Sequence, residues 1–150
     1  MSNVLIGIIG VILFIGLALA GALFLGGKFS DASNESEAAR IISEGAQINR
    51  AFEMHRVEQG ALPDGAGESG DANERAIAQL QTRGYLKSIP EGASGKWHVS
   101  EQGGSVLSLI GTGEGAGAIC ATARKQAGFT DEPKSCSDSS ISDGDPCCIG

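Results

Sequence analysis

VLIGIIGVILFIGLALAGALFLGG, residues 4–27, decides the architecture: the first charged side chain of either sign in the chain is Lys28. A helix needs about 20 apolar residues to cross a hydrocarbon core, and this run exceeds that. A secretory signal has a basic n-region, a shorter apolar stretch and a small-residue cleavage site, so the segment reads as retained rather than removed. Gly7, Gly10, Gly16 and Gly21 are spread through it, and small residues on an apolar helix let other helices approach closely. The same glycines also suit a plain single-pass anchor, because membrane helices tolerate Gly.

Outward from this run, the chain changes character. All 11 basic and 18 acidic residues of the 150-residue protein lie in residues 28–150, which therefore carry the whole net charge of −7. That charge disfavours nucleic-acid binding, which needs a basic surface. With 41% hydrophobic and 19% charged residues, the chain is not disordered throughout. Aromatics at 5% and 23 glycines limit the core, so the polar part needs cross-links or neighbours for stability. Lys28 is the only basic residue before Arg40, and the stretch after it (Asp31, Glu35, Glu37) is acidic, which by the positive-inside rule places the bulk of the chain outside.

Ala38, Ile41, Ile42, Gly45, Ile48, Phe52 and His55 fall at spacings of 3 and 4, with Glu37, Arg40, Glu44, Asn49, Arg50 and Glu53 on the other faces. This is an amphipathic helix ended by Gly60 and Pro63. Ser30, Asp31 and Ser33 are possible caps if the chain bends, but nothing forces a stop, so the apolar segment can run straight on. Asp71 or Asn73 caps a short helix with Ala76, Ile77 and Leu80 as its inner stripe. Residues 96–100 and 106–110 flank Glu101-Gln102-Gly103-Gly104 in the pattern of a β-hairpin. A Gly-rich connector at 111–117 leads to a helix over about Ala116 to Gln126, and the polar tail from Thr130 holds three of the four cysteines. Such a tail is ordered only if something ties it down.

Taken in order, the uncharged helix continuing into an amphipathic one, the exit Glu58-Gln59-Gly60-Ala61-Leu62-Pro63, the segment Leu80 to Pro90 and the C-terminal cysteine loop resemble a type IV pilin, or the related pseudopilins of type II secretion. The resemblance covers essentially the whole chain. It implies an α+β fold: a long N-terminal helix of residues 1–27 and 28–59, and a head of residues 60–150 with a small antiparallel sheet and a disulfide-bonded loop. It also implies a bacterial structural subunit, not an enzyme and without a cofactor. Such a subunit resides in the inner membrane, is taken up by pilus assembly machinery, and polymerises with its own copies into an extracellular filament serving roles such as adhesion. Met1 is then expected to be the mature, methylated first residue of a type IVb-like member. Leu5 stands where family members usually carry Glu, leaving Ser2 and Asn3 as the nearby polar groups for a neighbour's amine. Gly16 and Gly21 lie where pilins are often unwound in filaments. The alternatives are a minor pilin or pseudopilin, and a membrane-anchored extracytoplasmic binding domain.

Cys120, Cys136, Cys147 and Cys148 are an even number in a part placed outside the cytoplasm, so two disulfides are expected. A Cys147–Cys148 bridge would close a strained ring, which leaves Cys120 to one of the pair and Cys136 to the other. The spacing lacks paired C-x2-C knuckles for zinc. Asp138, Asp143 and Asp145 are weak calcium candidates, and solvated turn residues account for them better, since their spacing departs from the calcium-loop pattern. His55 and His98 have no nucleophile placed beside them by any motif, and Trp97 and Tyr85 read as core residues. Gly111 to Gly115 lacks the Lys-Ser/Thr of a phosphate loop and reads as a connector. Asn34-Glu35-Ser36 is a formal glycosylation sequon.

Overall fold

A computed structural model describes residues 2–92, 96–100, 106–111 and 115–150. Met1, the Gly103-Gly104 turn and residues 112–114 of the connector lie outside them. The chain divides into two compact units, Met1–Ser33 and Asn34–Gly150.

One helix, α1 (Ser2–Gln59), supplies the first unit and enters the second. No proline precedes Pro63, so nothing removes a backbone donor along the way. Ser30, Asp31 and Ser33 are helical and do not cap a second helix, and residues 16–21 are helical too. The helix stops where Gly60 turns left-handed at φ +73°, its N–H donating to the Arg56 carbonyl at 2.9 Å.

In the second unit the inner face of α1 is the floor of the core. Ala38, Ile41, Ile48, Ala51, Phe52 and His55 are all buried there. Helix α2 (Ala72–Thr82) begins with a complete capping box: the Asp71 side chain accepts from the backbone N–H groups of Asn73 and Glu74, and Glu74 returns the bond to the Asp71 N–H. Its Ala76, Ile77 and Leu80 pack with Ile48 and Phe52 of α1 and with Trp97. The two strands of the expected hairpin are present, β1 (Trp97–Val99) antiparallel to β2 (Val106–Ile110). Helix α3 (Ala116–Gln126) packs Cys120 and Ala123 against Ala38 and Ile41.

The sheet has a third member that the sequence did not announce. Strand β3 (Cys147–Ile149) runs parallel to β2, making the sheet mixed, with Ser108 opposite Cys147 and Leu109 opposite Cys148. Its other edge is covered as well. Ile149 donates to the Lys134 carbonyl and accepts from the Cys136 N–H, at 2.9 and 3.0 Å. The tail is thus held by backbone hydrogen bonds on both sides, which removes the edge that an isolated short strand would expose.

Three polar residues assigned to the outer face of the amphipathic helix in fact hold the head together. Asn49 accepts the Val106 N–H at 2.8 Å, while Arg40 donates to the Gly92 carbonyl and Glu44 accepts the Gly92 N–H, both at 2.8 Å. Gly92 has φ +64°, and a Cβ there would sit 3.2 Å from the Trp97 indole. A Cβ at Gly45 would meet the same ring at 3.3 Å. The Trp97 ring is therefore packed closely against two glycines, and its Nε1 donates to the Pro90 carbonyl at 2.8 Å. Gly45→Val should overpack this slot and destabilise the head by about 1–3 kcal/mol. Denaturant unfolding followed through Trp97, the single tryptophan, measures it. An unchanged midpoint would show that the slot is not tightly filled.

Candidate functional site: the exposed helix and the stapled tail

Residues 4–24 form a helix whose described large apolar side chains are all exposed, from Leu5 at 61% to Phe14 at 74% and Leu23 at 84%. The most apolar window of α1 has a mean hydropathy of 2.8 and is nowhere buried. Burying one such side chain stabilises by about 1.5–3 kcal/mol, so a surface of this extent in water drives either insertion into lipid or association. Gly7, Gly10, Gly16 and Gly21 sit in this surface, and a Cβ built on any of them meets nothing within 4 Å. Among the described residues nothing packs against them, and small residues on an apolar helix are of the kind that let another helix approach closely. The helix is thus long and apolar enough to cross a membrane.

At the other end of the sequence, two disulfides tie the tail down. Cys120 of α3 is joined to Cys147, and Cys136 to Cys148. Adjacent residues in a strand point to opposite faces of the sheet. Cys147 accordingly joins the cluster of Ala38, Ile41 and Ala123, and Cys148 joins Leu107 and Ile141 on the other side. Alternation alone keeps the two neighbouring sulfurs apart.

One turn after Cys120 on α3, Arg124 is 1% exposed and ion-pairs with the equally buried Asp145. Its other terminal nitrogen reaches Asp131 at 2.6 Å, and its guanidinium lies 5.1 Å from the centre of the Phe129 ring. The Arg124 Nε has no partner among the described residues. Asp131 is exposed, and its carboxyl is held below the usual carboxylate range by its own backbone N–H and by Arg124. Sequence reading missed Arg124. The available signal was its position four residues after Cys120, with an aspartate two residues before Cys147.

This geometry corrects the reading of the aspartates. Asp138, Asp143 and Asp145 do not gather: Asp138 bonds Ser140, Asp143 is exposed, and Asp145 is neither a solvated turn residue nor free to ligate a cation, because it is buried against Arg124. No group of three or more His, Cys, Asp or Glu side chains suited to a metal occurs among the described residues. The Asp138 carboxyl is lowered by the Ser140 hydroxyl and N–H.

The histidines stand on different elements. His55 Nδ1 donates to the Ala61 carbonyl at 3.0 Å and its ring meets Tyr85 edge-on at 5.4 Å, which braces the exit of α1. Tyr85 donates to Glu58 at 2.7 Å, and that bond to a carboxylate raises the phenol above its ordinary value. His98 on β1 approaches Asn73. A cavity of about 40 Å³ lined by His98, Ser100, Asp138 and Ile141 lies beside Cys136, which is room for a few waters and far below the volume of a substrate pocket.

Comparison of the chain with protein-family models, curated proteins and solved structures returns no match.

Proposed function

We propose that this chain is a structural subunit of a type IV pilus-like filament. It enters the inner membrane through residues 4–27, places its head outside, and is assembled with identical copies around a core of N-terminal helices. The observation that carries this reading is the exposed apolar helix whose glycines touch nothing, continuous in α1 with the floor of a disulfide-stapled head. A repeated subunit that buries such a helix only against its own kind, through a contact that does not close, grows into a helical filament. The two disulfides support an oxidising compartment for the head. The chain acts by assembly and carries no catalytic centre in this reading.

The test is negative-stain microscopy of sheared cell-surface material, with mass spectrometry of the same fraction. Filaments containing peptides from residues 34–150 are expected. Protein confined to the membrane fraction, with no filaments, would replace this reading by that of a membrane-anchored extracytoplasmic binding domain. Few copies in a filament made chiefly of another subunit would make it a minor pilin or pseudopilin.

A further inference from the structure

Adjacent cysteines on one strand create an ambiguity that the disulfides themselves do not resolve. Were β3 to slip by one residue against β2, Cys148 would take the place of Cys147 opposite Cys120, and Cys147 would turn to the face of the sheet that bears Cys136, so Cys120 would again have a partner. Something else must distinguish the registers. In the observed one, Asp145, Cys147 and Ile149 all turn toward α3: Asp145 to Arg124, Cys147 to Cys120, and Ile149 to the cluster around Ala38 and Ile41. The slipped register would offer Pro146, Cys148 and Gly150 instead. Arg124 would then lose its buried carboxylate and keep only the exposed Asp131, with its guanidinium still enclosed. A buried charge robbed of its partner is costly, whereas a bridge from Cys120 to Cys148 is chemically equivalent to one from Cys120 to Cys147.

We infer that the Arg124–Asp145 ion pair selects which of the two neighbouring cysteines becomes the partner of Cys120. Arg124 lies one turn beyond Cys120 on the buried side of α3, and Asp145 precedes Cys147 by two residues, so forming the pair brings the Cys147 sulfur to Cys120 before any bond is made. Each bridge then forms as two thiols give up two protons and two electrons to an external disulfide, which leaves as two thiols. Arg124 and Asp145 are positioning residues in this step. They set the register and take no part in the exchange.

The full chain with Cys136→Ser poses the choice directly, since Cys120 must then take Cys147 or Cys148. The protein is reduced, refolded in detergent and oxidised in a buffer of reduced and oxidised glutathione. The leftover thiol is alkylated with one reagent, and the bridged pair with a second after reduction. Tandem mass spectrometry between residues 147 and 148 reads the ratio. At least tenfold preference for Cys147 is expected with Arg124 and Asp145 in place. Arg124→Met and Asp145→Asn should each reduce the preference to threefold or less, Arg124→Lys should keep most of it, and Ile149→Ala should change it by less than threefold. An undiminished preference in Arg124→Met overturns the inference. So does an equal loss in Arg124→Lys, which would mark a general failure to fold, or a collapse confined to Ile149→Ala, which would assign the register to apolar packing.

Discussion

Gly10→Asp should abolish surface filaments while leaving the protein in the membrane fraction. Position 10 meets nothing among the described residues, so the substitution disturbs none of their contacts and reports on what surrounds the helix afterwards. A single carboxylate within a long apolar run costs about 2.5–3.5 kcal/mol for insertion, and the remaining residues of the run outweigh that. In a helical core the same carboxylate is repeated in every subunit and faces apolar neighbours. A comparable penalty of roughly 3 kcal/mol at each addition step weakens it about a hundredfold. Ala18→Asp should behave alike, because it lies in the same exposed surface. Filament yield by microscopy and the membrane content by immunoblot separate the two effects. Normal filaments from both variants would remove residues 4–27 from the core and leave them as a lipid anchor.

Asp145→Ala should destabilise the head by about 3 kcal/mol, the lower end of the range for breaking a buried ion pair. Asp131 retains one contact to Arg124 but is itself exposed, so it offsets little of the loss. Replacing both charges, as in Arg124→Met with Asp145→Leu, should return most of the stability, because the cost arises from the orphaned charge rather than from absence of the pair. Urea unfolding of the oxidised full chain in detergent, followed through Trp97, measures both variants. If Asp145→Ala unfolds at the wild-type midpoint, the pair contributes no more than a surface contact, and the disulfides and the backbone hydrogen bonds of β3 hold the tail. Removal of the Cys120–Cys147 bridge provides the scale for comparison, at about 2–4 kcal/mol.

Much of the fold was legible in local pattern. Residues 4–27 lack charge, Ala38 to His55 repeat at helical spacing, Asp71 or Asn73 offers a cap for α2, and Gly60 and Pro63 close α1; each of these signals is complete within a few turns of chain. The hairpin was legible for the same reason, since β1 and β2 are neighbours in sequence. Tertiary structure alone decided the rest. A strand of three residues such as Cys147–Ile149 has no period to recognise, and its partner β2 lies far upstream in a parallel register that no turn specifies. The choice of Cys147 over Cys148 for Cys120 depends on which face of that strand meets α3. Asp145 looks in sequence like any aspartate of a polar loop, and only the placement of Arg124 on the inner side of α3 makes it a buried counter-ion. Arg40, Glu44 and Asn49 likewise carry the pattern of an outer helix face, yet they grip the backbone of Gly92 and Val106. Periodicity reports what one element does with its own neighbours; which polar groups are buried depends on the elements that happen to cover them, and that is settled by packing across the chain.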